Sequence, residues 1–216
     1  MSLRTIVLCL ALGLSACSGT RELADPILEI RTPTGSELGV ATDYGIVFLG
    51  RTAQMGEIEV IVWYGDGPSV ELAVVEPIGQ GLFTAEPEIR VPAVPLSFRV
   101  PKAGDEVWVK GRRGEDVWDD KTEVVGDARV RGILLAPTSS LAKSADQVGA
   151  GVYYVNEDAG TTRLVGLVSG VLELTDADGA TQRYLTVVGP DDLWRLATYR
   201  RDLPHKPRWI YREDIL

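Results

Sequence analysis

From Pro26 to Val188 the chain is a succession of short apolar or alternating segments punctuated by Gly, Pro and Asp, a rhythm that suits antiparallel strands. Glu57–Tyr64 alternates strictly and sets Ile58, Val60, Val62 and Tyr64 on one face. Gly65-Asp66-Gly67-Pro68 is turn chemistry, and Val70–Val75 returns as its hairpin partner. The same reading predicts strands over Ile27–Arg31, Leu38–Thr42, Gly45–Leu49, Glu106–Lys110, Ala128–Leu135, Gly151–Val155, Arg163–Leu174 and Gln182–Val188. Asp176-Ala-Asp-Gly179 reads as the turn between the last two. Many short strands separated by turns point to an all-β barrel or sandwich rather than a βαβ fold. A single short helix is expected after Gly189, where Pro190, Asp191 and Asp192 suit a helix start. Leu193, Trp194, Leu196 and Ala197 supply its apolar face.

The charged, turn-rich stretch 111–126 divides the strands into two groups and reads as the connection between them. The expected organisation is a first strand group over 27–110, a second over 127–200 with its helix, and a basic, aromatic tail over 201–216. In that tail Lys206, Arg208 and Arg212 interleave with Trp209, Ile210 and Tyr211. It suits either docking to an acidic partner or membrane, or packing back onto the acidic body of the chain.

At the other end, Arg4 precedes an apolar run from Thr5 to Leu14, of signal-peptide length and too short to span a bilayer. The tetrapeptide Leu14-Ser15-Ala16-Cys17 resembles a bacterial lipoprotein lipobox. That resemblance implies a signal over 1–16, cleavage before Cys17, diacylglycerol on its sulfur, and a short tether over 17–26. The alternative is an ordinary secretory signal in which Cys17 is incidental. Ser18, in place of an aspartate, resembles the outer-membrane sorting pattern of bacteria with two membranes.

The formal net charge of −9 argues against nucleic acid as a partner and against headgroup attraction as the anchor. Membrane attachment would rest on acyl chains, at about 0.8 kcal/mol per buried methylene. Cys9 and Cys17 are the only cysteines, so removal of the signal and acylation of Cys17 would leave no disulfide. His205 is the single histidine, which argues against zinc or haem; no metal and no cofactor are expected.

The order of segments resembles the trypsin-like (chymotrypsin-fold) serine proteases over about residues 36–200. Leu38–Thr42 followed by Gly45–Thr52 matches two strands of that family's first barrel, and Val60–Val75 around Asp66-Gly67 matches its hairpin. Gly104–Val109 matches the strand that closes the family's first barrel. In the second barrel, Gln147–Tyr154 and Leu164-Val-Gly-Leu-Val-Ser-Gly170 match the strands around the nucleophile, and Tyr184–Leu196 the last strand and helix. The resemblance implies two packed, six-stranded-type antiparallel barrels with a short C-terminal helix.

It also implies that the catalytic groups are gone. The histidine position falls on Thr52, the aspartate position on Gln80 or Gly81, and the serine position on Val148. Valine has no nucleophilic atom, and a threonine hydroxyl is no base near neutral pH. Relocated chemistry would have to use Ser144, near Ser139 and Ser140, with His205 as base. Gly149 and Gly151 suit either the tight turn and backbone amides of an oxyanion site, for an anion or a peptide carbonyl, or the turn alone. Asp176 with Asp178, and Asp119 with Asp120, suit a turn and a solvated loop better than a calcium site. The expected function is an anchored, catalytically inactive barrel protein that binds or scaffolds an envelope protein or peptide. A noncanonical hydrolase with relocated groups is the alternative.

Overall fold

Alternating segments bury one face each, and twelve of them pair here into two closed antiparallel barrels. The computed structural model describes residues 25–51, 56–64, 67–87, 91–127, 129–130, 132–137, 147–156 and 158–201. β1 (Ile27–Thr32), β2 (Gly35–Thr42), β3 (Gly45–Phe48), β4 (Glu57–Tyr64), β5 (Gly67–Gly79) and β6 (Leu82–Ala85) close the first barrel in the order β1-β2-β3-β6-β5-β4. The second barrel uses β7 (Glu106–Arg113), β8 (Asp116–Val125), β9 (Ile133–Leu135), β10 (Gly151–Asn156), β11 (Thr161–Thr175) and β12 (Thr181–Val188), in the order β10-β11-β12-β9-β8-β7. Helix α1 (Pro190–Arg201) follows. Its start is held by the Gly189 carbonyl, which accepts the amides of Asp192 and Leu193 at 3.2 Å each.

The barrel boundary differs from the one the charge pattern suggested. Residues 106–110 open the second barrel rather than close the first, and 111–126 carry the β7–β8 hairpin rather than the connection. The stretch reads as a loop because β8 shows water a polar face, while Val107, Val109 and Val124 point inward. Its charges pair across the strands, Lys121 with Glu106 at 3.0 Å and Lys110 with Asp119 at 3.9 Å. Asp119 and Asp120 are thus strand residues, not loop residues. The expected strand over 128–135 contracts to Ile133–Leu135.

The crossing between barrels lies between β6 and β7, and its described part is a third partner to both. Val94 donates its amide to Ala41 of β2 at 3.0 Å. Ser97 donates to Leu164 of β11 at 2.7 Å, and the Leu164 amide donates back to Pro95 at 2.9 Å. Pro92, Pro95 and Pro101 deny this segment a regular ladder of its own.

Each barrel has its own core, around Ile30, Phe48 and Val60 in the first and Val109, Val152 and Val165 in the second. A third cluster fills the seam. Val40 of β2, Val47 of β3, Leu82 of β6 and Leu164 and Leu167 of β11 meet there with Tyr153, and with Leu193 and Leu196 of α1. Strands at the seam are therefore buried on both faces, and they are the continuous apolar runs in the sequence. Leu193, Leu196 and Ala197 face inward as expected, but Trp194 turns outward and meets Phe98 edge-on at 4.5 Å. Because Leu196 is fully buried where both barrels meet, Leu196→Ala is expected to cost about 2–5 kcal/mol. Urea unfolding checks this, and a single transition shared by both barrels is the expected form.

Candidate functional site

The end of β3, the turn that opens β10 and the β5–β6 tip are each held by their own contacts. At the end of β3, Gly50 has φ +64, and a Cβ there would stand 2.0 Å from the ring of Phe83 on β6. Only glycine admits that ring, which also stacks on Phe48 at 6.0 Å. The next residue, Arg51, donates its amide to Glu37 of β2 at 3.1 Å. Beside Glu37, the backbone of Leu38 meets the turn that opens β10: a Cβ on Gly149 (φ +90) would lie 2.8 Å from the Leu38 carbonyl oxygen. β2 thus ties the end of β3 to the 147–149 turn, and β6 ties β3 to the β5–β6 tip.

Val148 is half-buried in that turn. The Gly149 amide is already spent, donating to the Val168 carbonyl at 2.8 Å. Gly151 sits in the ladder between Leu167 of β11 and Lys110 of β7, and the Tyr153 hydroxyl occupies the place a Cβ would need. The Gly149 bond to Val168, its positive φ and the close approach of Leu38 fit the reading in which this glycine serves the turn. Gln80 and Gly81 form the exposed β5–β6 tip, both with positive φ, and a Cβ on Gly81 would meet nothing within 4 Å. Thr52, Ser139, Ser140, Ser144, His205, Cys17 and the 202–216 part of the tail lie outside the described residues.

Asp176 makes a turn: its Oδ1 accepts the amides of Asp178 at 3.0 Å and Ala180 at 2.8 Å. Among the described residues no three His, Cys, Asp or Glu side chains come together to hold a metal ion. Sequence reasoning did not single out Glu37, a carboxylate buried beside the 147–149 turn. Its only signal was an acidic residue directly preceding an all-apolar strand.

A separate open pocket of about 620 Å³ lies where the 97–99 segment meets β7, β8 and the β10–β11 hairpin. Two of its lining groups, Arg99 and Tyr154, are bound to Asp105 beside it. Asp105 accepts the Lys102 amide at 2.9 Å, the Tyr154 hydroxyl at 2.7 Å and Arg99 Nη2 at 3.0 Å on both oxygens. The Arg99 guanidinium also covers the Tyr154 ring at 5.0 Å. These bonds, the Lys102 amide foremost, hold the Asp105 carboxyl below its ordinary range. Burial, followed by the bond to Asp105, pushes the Tyr154 phenol up.

No family model matches the chain, and no curated protein matches it. Solved structures do. The MamO protease domain from Magnetospirillum magneticum, in its apo form, superimposes with a TM-score of 0.53 at 17% identity, covering 78% of this chain and 94% of that one. The serine protease of a human pathogenic astrovirus gives 0.52 at 17% identity, covering 80% and 96%. The double barrel with its C-terminal helix is therefore the trypsin-like fold.

Two measurements probe this region. Gly149→Ala combines an unfavourable φ with a backbone clash, and a loss on the order of 2 kcal/mol or more is expected in urea unfolding. The Tyr153 hydroxyl, by contrast, is buried without a hydrogen-bond partner among the described residues, so Tyr153→Phe is expected to leave stability unchanged or raise it by about 1 kcal/mol. The Asp105 network makes a pH prediction. A carboxyl whose folded pKa is lowered stabilises the fold above its unfolded pKa of about 3.9, and that contribution disappears as pH falls through the folded value. The destabilisation caused by Asp105→Asn, read from urea midpoints, is accordingly expected to be larger near neutral pH than at about pH 2.5.

Proposed function

We propose that this chain is a membrane-anchored lipoprotein whose trypsin-like double barrel is catalytically inactive and serves to bind or scaffold an envelope protein or peptide. The observation that carries the inactive reading is the turn opening β10. It has Val148 where the resemblance puts the nucleophile. Thr52 and Gly81, at the other two positions, offer neither an imidazole nor a carboxylate. The structural neighbours are protease domains, but an acyl-enzyme needs a nucleophile that this arrangement lacks.

The anchor rests on Leu14-Ser15-Ala16-Cys17 after the Arg4-led apolar run. In a bacterium with two membranes, Ser18 after the cysteine favours the outer one. The net charge of −9 leaves the acyl chains as the source of membrane affinity.

Two experiments test the reading. A serine-hydrolase phosphonate probe is expected to leave the purified protein unlabelled; labelling that disappears in Ser144→Ala or His205→Ala would establish the relocated hydrolase instead. Cys17→Ser is expected to move the protein from the membrane to the soluble fraction, and retention in the membrane would overturn the anchor.

A further inference from the structure

The β4–β5 hairpin outruns its barrel. β4 pairs with β5 along its whole length, from Glu57 opposite Val74 to Tyr64 opposite Gly67. β6 reaches only the far part of β5, from Val75 opposite Ala85 to Gly79 opposite Leu82. From Gly67 to Val74, β5 therefore has β4 on one side and no strand on the other among the described residues.

The phase of the ladder decides what this edge offers. Val75 donates its amide to Gly56 at 2.9 Å, on the β4 side. Backbone groups alternate sides along a strand, so those of Val74, Leu72 and Val70 point to the open edge. The same three residues are the exposed ones, at 61%, 61% and 54%. Main-chain donors and acceptors and an apolar stripe thus coincide. Edges of this kind are usually guarded by lysine, proline or a bulge, and Pro68, which has no amide to donate, closes one end of this one. β5 has no lysine, and its one register shift lies beyond Pro77, outside this stretch.

The surroundings choose the occupant. A groove of about 340 Å³ runs beside this edge, where a strand would continue in line with β6. Leu72 and Val74 line it together with Glu57, Glu71, Glu76 and Glu86, and no basic residue does among the described residues. Glu76 accepts the Tyr199 hydroxyl, Glu71 and Glu86 have partners of their own, and Glu57 is exposed. A second copy paired edge to edge would bring a second set of carboxylates against these, which is unfavourable across paired strands. An extended segment alternating basic and apolar side chains meets both the stripe and the charge.

We propose that the free edge of β5, from Val70 to Val74, is a strand-addition site for an extended, basic and apolar peptide segment of a partner protein. The proposal rests on the binding reading above and gives it a location away from the seam.

The test uses the detergent-solubilised full chain and three fluorescent octapeptides. One alternates lysine with valine, one alternates glutamate with valine, and one is the lysine–valine peptide N-methylated at alternate amides. The lysine–valine peptide is expected to bind, and each of the other two to bind about tenfold or more weakly. Its binding is expected to slow hydrogen exchange at the amides of Val70, Leu72 and Val74. Leu72→Lys is expected to weaken binding about tenfold or more with an unchanged urea midpoint, because Leu72 is exposed. Leu72→Thr, which keeps strand propensity, and Glu57→Lys are expected to act in the same direction.

Equal binding of the glutamate peptide, or full affinity in a folded Leu72→Lys, would overturn the proposal. So would protection of these three amides before any peptide is added, which would assign the edge to a second copy or to another part of this chain. Capture of the same envelope protein by the parent and Leu72→Lys chains would overturn the edge and leave the binding function standing. Binding of the lysine–valine peptide by a chain that captures no envelope protein would do the reverse.

Discussion

The seam between the barrels is the contact on which the rest of the structure depends. Two closed barrels have no free surface to share unless some of their strands are apolar on both faces, and β2, β3 and β11 are. Val40 and Val47 turn outward from the first barrel, and Leu164 and Leu167 outward from the second. Leu193 and Leu196 of α1 enter the same cluster. Everything at the candidate site hangs from this arrangement. The 147–149 turn rests on Leu38, Arg51 is held by Glu37, and the tip of β5 and β6 is tied back through Phe83. The turn that opens β10 and the end of β3 are both positioned by β2. A fold of this kind keeps its geometry for mechanical reasons whether or not it carries reactive groups.

Most strands were legible because alternation and turn residues act locally. β4, β10 and β12 fall within a residue or so of the pattern. The boundary between barrels was not legible, and the reason is specific. β8 carries Asp116, Asp119, Asp120, Lys121 and Glu123 on a strand whose inward residues are few, so charge outweighed alternation. The real crossing holds Val94 and Leu96, apolar residues buried at the seam, and looked less like a linker than β8 did. Trp194 misled in the opposite sense. Its bulk suggested the core, but helical spacing turns it toward Phe98 and water.

The site was legible in part. Glycines at 149 and 151 marked a turn there, and no pattern in the chain signalled that the Gly149 amide is committed to Val168. That commitment depends on how β10 and β11 come into register, a long-range fact with no local trace. The open edge of β5 is a similar case. Val70, Leu72 and Val74 look like any strand residues, and what makes them unusual is where β6 stops.

The position of α1 at the end of the described chain has a consequence for the order in which the molecule can be completed. The strands that form the first barrel are synthesised early, but the outward faces of β2 and β3 stay uncovered until β11 and then Leu196 are available. The outward faces of the first barrel are therefore covered only when the second barrel and α1 are in place. Either half alone would leave Val40 and Val47, or Leu164 and Leu167, facing water.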